Sequence, residues 1–238
     1  MSSVYLQWIG QSGYRIWDTE TEILLDPYLS NSVEKSFGRQ RLLPIQPHPK
    51  ELDPSVIVCT HDHPDHLDPD TLKQIPSKQV PVLAPGSCKE KLRDMYYVNP
   101  KVFDPGTAFS TGRFTLTCVP AFHTVDAVGV VIRHGNLRMY FTGDTLFHNR
   151  LCNSETQNCD VLFVCINGRL GNMGIEDAVT LTGMIAPSIA VPNHYGMFAS
   201  NTADPAEYAT NVPYSQILHP YTIYSIKKQQ EVVICSVT

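Results

Sequence analysis

The run Val56-Ile57-Val58-Cys59-Thr60 leads straight into His61-Asp62-His63-Pro64-Asp65-His66-Leu67-Asp68. An apolar, β-branched stretch of this length reads as a short buried strand. Four groups able to bind a metal then follow within six residues: His61, His63, Asp65 and His66. Just past the end of a strand the backbone turns, and side chains that alternated along it can converge on one point. His61 and His63 stand two apart, so an extended backbone puts both imidazoles on one side, and Pro64 restricts the backbone at His63. Imidazole combined with carboxylate suits zinc, manganese or iron. A polar surface loop would explain one such histidine, but three with an aspartate directly after a buried strand point to a site.

Three later residues share this local setting. His123 follows an expected strand over Phe114 to Val119, Asp144 follows Leu137 to Thr142, and His194 follows Ser188 to Pro192. Singly, each reads as a surface histidine or a turn aspartate. Their common position at strand exits argues for a single site. Further strands are expected at 4–9, 14–17, 22–25, 80–84, 127–133, 161–166 and 231–237. Residues 175–186 carry apolar side chains at 178, 181, 184 and 185 with Glu176 and Asp177 in the first turn, the pattern of an amphipathic helix. Residues 30–55, polar and holding Pro44, Pro47, Pro49 and Pro54, read as one long loop. With no repeat and no linker, residues 1–238 are expected to form a single α/β domain.

The net charge of −5 gives no footprint for nucleic acid. No apolar run approaches the roughly 20 residues that span a bilayer, and Met1 to Trp8 lacks the pattern of a signal peptide. Seven cysteines, an odd number without a C-x-x-C pair, several of them inside strand-like runs, fit buried free thiols in a reducing cytoplasm. A cytoplasmic protein acting on a small molecule is expected, without a nucleic-acid or membrane partner; self-association as a homo-oligomer is left open.

The order His-x-His-x-Asp-His, His, Gly-Asp-Thr, His resembles the metallo-β-lactamase superfamily. The resemblance implies a four-layer αββα sandwich with the site on one edge. It further implies that His61, His63 and His123 hold a first divalent ion, that Asp65, His66 and His194 hold a second, and that Asp144 bridges them. Manganese and zinc are the metals suggested. Asp65 and Asp144 would orient the nucleophile through the metals. Within the superfamily, Trp8-Ile9-Gly10-Gln11-Ser12-Gly13, Asp26-Pro27 and Asn167-Gly168-Arg169 look like the L-ascorbate-6-phosphate lactonase-like branch, which implies a (phosphorylated) sugar lactone as substrate. Asn167 and Arg169 would then bind substrate, Arg169 through a phosphate. Tyr195 beside His194 either contacts substrate or packs against the ligand loop, and His148 is a candidate for the pocket wall. Asp68 is expected to cap a helix or orient a ligand, and His134 to lie on the surface. Two other readings stay open: a phosphodiesterase similar to the N-acylphosphatidylethanolamine phospholipase D, with an exposed apolar patch at Phe37, Leu42, Leu43 and Ile45, and a non-enzymatic metal-binding protein.

Overall fold

The computed structural model describes residues 3–95 and 97–237, which form two mixed β-sheets with helices outside. The first strands in the chain are β1 (Val4–Gly10), β2 (Gly13–Trp17), β3 (Glu22–Leu25), β4 (Val56–Val58), β5 (Val82–Ala84) and β6 (Pro100–Val102). They build an eight-stranded sheet together with the last two strands, β13 (Ile223–Lys228) and β14 (Val232–Ser236), in the order β14-β13-β1-β2-β3-β4-β5-β6. The second sheet runs β12 (Ile189–Asn193), β11 (Val161–Cys165), β10 (Leu137–Phe141), β9 (Val128–His134), β8 (Phe114–Pro120), β7 (Ala108–Thr111).

Alternation along the strands sorts side chains between two layers. In β4, Val56 and Val58 join the large core shared with the six-stranded sheet, while Ile57 joins a second cluster. The residues of β3 divide the same way, Ile23 and Leu25 inward and Leu24 outward. That outer cluster is completed by Leu72 of α2 (Pro69–Gln74) and Leu92 of α3 (Lys89–Asp94). On the other side α4 (Ile175–Ile185) buries Ala178, Leu181 and Ile185 beside β11, and packs on α5 (Pro205–Asn211). The four-layer sandwich expected from the sequence is the fold observed.

Strand direction places the site. β3, β4 and β5 pair in parallel, as do β10, β11 and β12. Because β8 and β10 both run antiparallel to β9, they share a direction. The loops leaving β4, β8, β10 and β12 therefore meet at one edge, and these loops carry the ligand-type residues.

Several expectations change. The segment 30–55 is not one loop: it contains α1 (Ser32–Phe37) and a single 3-10 turn at Pro49–Glu51. His134 is not a surface residue. It is buried, and its Nε2 lies 3.0 Å from Asp18 Oδ2, a partner 116 positions away that the local turn Gly135-Asn136 does not reveal. Asp68 does cap a helix: its side chain accepts from the Asp70 amide at the start of α2 and also from Ser30 Oγ. All seven cysteines are free, and five of them are buried. Among the described residues no helix is long and apolar enough to cross a membrane.

Candidate metal centre

All seven expected ligands come together in three interlocking groups: His61, His63 and His123; His61, His66 and Asp144; and Asp65, His66 and His194. Within each group the ligand atoms lie within 4.8 Å of one another. His61 Nε2 is 3.0 Å and His123 Nε2 is 3.3 Å from His63 Nδ1. Two nitrogens bound at about 2.0–2.1 Å to one tetrahedral ion sit roughly 3.4 Å apart, so this spacing fits a shared cation. In the second group His66 Nε2 lies 3.4 Å from His194 Nε2 and 3.4 Å from Asp144 Oδ1.

The partners behind the ligands decide which nitrogens are free. Asp26 Oδ2 accepts from His66 Nδ1 at 2.8 Å, and the Gly171 carbonyl accepts from His123 Nδ1 at 2.9 Å. Each neutral ring then presents a bare Nε2 to the centre, the arrangement that metal-bound histidines favour. A bare His66 Nε2 sets an acceptor against Asp144 Oδ1, which His194 Nε2 also faces at 3.2 Å and which is buried with no hydrogen-bond partner. Positive charge between them resolves the conflict, and the donor set fits a divalent ion. Where no cation supplies that charge, the surrounding carboxylates draw a proton onto His66 instead. Burial would lower the His66 pKa, but Asp144, Asp26 and Asp65 carry it well above its usual range. Burial would raise Asp144, yet His194 and His66 hold it well below. Burial and then His66 push His61 far down, so it is neutral, as a ligand must be.

The two carboxylates are each held at one oxygen. Gln11 Nε2 donates to Asp65 Oδ2 at 2.7 Å, and Asn172 Nδ2 donates to Asp144 Oδ2 at 2.8 Å. Gly143, with φ 62°, makes the turn that presents Asp144; a Cβ there would lie 2.7 Å from the Val128 carbonyl. His63, Asp65, Asp144 and His194 all line a cavity of about 280 Å³, together with apolar Val33, Phe37, Leu170 and Phe198 and polar Arg39, Thr124, Asn172 and Asn201.

The expected substrate residues are placed differently. Asn167 is buried one layer behind the cavity, its Nδ2 donating to Asn201 Oδ1 at 2.8 Å. Arg169 is exposed and does not line the cavity, although its neighbour Leu170 does. Tyr195 packs on Trp8, with ring centroids 5.0 Å apart, and lies outside the lining. His148 stacks on Phe122 at 4.0 Å and accepts from the Arg150 amide, also away from the cavity. The sequence reading missed Gln11, Asn172 and Arg39. A polar Gln11 between glycines in a tight β1–β2 turn, with φ 53°, was a signal for the first; the other two carry none in their own neighbourhood.

A fold of two facing sheets with this ligand order at one edge defines a metallo-hydrolase class. A family model described as the beta-lactamase superfamily domain matches residues 21–195, and the chain belongs to that superfamily. It is 25% identical over 217 residues to a UPF0173 metal-dependent hydrolase of Archaeoglobus fulgidus, covering 85% of this chain and 88% of the relative. It is 29% identical over 223 residues to one from Symbiobacterium thermophilum, covering 87% and 91%. Among solved structures, Igni18, a metallo hydrolase from the archaeon Ignicoccus hospitalis, superposes with a TM-score of 0.75 at 20% identity, over 95% of this chain and 100% of that one. The chain thus stands among the metal-dependent hydrolases of the superfamily.

Proposed function

We propose that the chain hydrolyses a small anionic ester, with a sugar lactone as the leading class, using water activated between two divalent cations, manganese or zinc. The observation that carries this reading is the set of three ligand groups sharing His61 and His66, opening directly into the cavity. His61, His63 and His123 would hold one ion, Asp65, His66 and His194 the other, with Asp144 between them. Bound there, such a pair acidifies water and offsets charge that develops on a carbonyl oxygen. The protein's own part is orientation. Gln11 and Asn172 fix Asp65 and Asp144: Asp144 keeps Oδ1 for the centre, while the Asp65 Oδ2 that Gln11 holds is also the oxygen turned toward His66 and His194. Val33, Phe37, Leu170 and Phe198 shed water from the cavity walls.

A second reading, a phosphodiesterase acting on an amphiphile, is favoured by the exposure of Phe37 (63%), Leu42 (59%) and Ile45 (40%) on the segment beside the cavity. One experiment separates the two. The purified protein is analysed for metal and assayed against sugar lactones and phosphodiesters beside Asp144→Asn. About two ions per chain and lactone opening that falls at least about 100-fold in Asp144→Asn support the proposal. Phosphodiester cleavage without lactone opening transfers it to the second reading, and turnover of neither class, or turnover untouched in Asp144→Asn, overturns it.

A further inference from the structure

The cavity lining contains one arginine and no lysine. That arginine, Arg39, follows α1 across Gly38, whose left-handed conformation (φ 67°) turns the chain back toward the cavity. Arg39 is half-buried, and among the described residues its guanidinium meets no carboxylate within 4.0 Å and makes no hydrogen bond. Arg41, two residues on, is fully engaged. It donates to the carbonyls of Leu43 at 2.7 Å, Ser30 at 2.9 Å and Pro44 at 3.2 Å, and lies 4.9 Å over the Tyr28 ring. One arginine of this segment therefore holds the fold, and the other keeps all five of its donors free beside the candidate metal centre.

We propose that Arg39 receives the terminal oxyanion of the substrate, a phosphate or a carboxylate, and so selects acidic esters over neutral ones. This deepens the hydrolase reading and rests on it for the chemistry at the cavity floor. A guanidinium fork matches either oxyanion with two parallel hydrogen bonds. Two divalent cations would outweigh the charges of Asp65 and Asp144, so the loaded floor also attracts an anion. Asn172 gives its Nδ2 to Asp144, and its Oδ1, buried at the cavity, is left without a donor.

The test compares D-glucono-1,5-lactone with its 6-phosphate, in steady-state hydrolysis by the manganese-loaded protein. In parallel, gluconate and 6-phosphogluconate are titrated calorimetrically. The phosphorylated member of each pair is expected to be preferred. Arg39→Gln should cut that preference about 10–100-fold, chiefly through KM and binding, and Arg39→Lys should restore part of it. Thermal unfolding of the variants checks that each is folded. Arg39-dependent binding without turnover leaves this inference standing and sinks the hydrolase reading. Turnover with a preference unchanged in Arg39→Gln does the reverse. Equal affinity for the two ligands in the wild type, or a preference erased by Arg169→Gln and not by Arg39→Gln, overturns the assignment.

Discussion

Asp26 accepts three hydrogen bonds: from the Thr60 amide at 2.7 Å, the Thr60 hydroxyl at 2.7 Å and His66 Nδ1 at 2.8 Å. Its φ of 42° is unusual for a residue with a side chain, and such strain persists only where the surroundings enforce it. The carboxylate thereby fixes both the ligand loop and the proton on His66. Asp26→Ala is expected to weaken metal binding about 10–100-fold, as loss of a ligand's outer partner does. Competition with a chelator of known affinity measures this, and an unchanged affinity would mean that packing alone orients His66. That these seven residues cluster was legible in the sequence because each follows closely on a strand, a local pattern. Their partners were not. Gln11 reaches Asp65 across 54 positions, Asp26 reaches His66 across 40, and Asn172 reaches Asp144 across 28, and side-chain type alone does not report such distances.

At the scale of elements, α4 shows where pattern reading is reliable and where it stops. Its apolar stripe is visible in the sequence, and the helix begins at Ile175 as expected. It ends one residue before the expected Ala186, because that residue turns left-handed (φ 53°) as the cap, its amide donating to the Thr182 carbonyl. An exposed alanine there lacks the freedom of glycine. Ala186→Gly should stabilise the protein by about 0.5–1 kcal/mol, read as a higher urea midpoint at unchanged slope. A lower midpoint would show that the entropy glycine adds to the unfolded chain outweighs the relieved strain. The helices α1 and α3, six residues each, and the three-residue β6 escaped the sequence reading for a physical reason: they are too short to complete a periodic pattern, whereas the equally short α2 was signalled only by its cap, Asp68.

For the whole molecule, the two sheets must stay in register for loops from both to share one centre. At the edge facing away from the ligands, where β2 and β9 end, Asp18 and His134 join the sheets through a buried pair at 3.0 Å. Asp18 also accepts from the amides of Glu20 and Thr21, each at 2.9 Å. Burial pulls its pKa upward, but those amides and His134 outweigh it and leave the carboxyl below its usual value near 3.8. A depressed folded-state pKa means the contribution to stability is fully present above the unfolded value and is lost as pH falls through the folded one. Asp18→Asn keeps an acceptor for the amides and loses the charge facing His134. It should therefore cost about 1–3 kcal/mol at pH 7, with the gap to wild type narrowing below about pH 4. Urea unfolding of both proteins across pH 3 to 7, with chelator present so that metal linkage does not intrude, measures the gap. A gap that stays constant over that range would mean the carboxylate charge contributes nothing. Because the pair is remote from the ligands, chelator competition should find metal affinity unchanged in Asp18→Asn, and a weakened affinity would show that the joint between the sheets is transmitted to the centre.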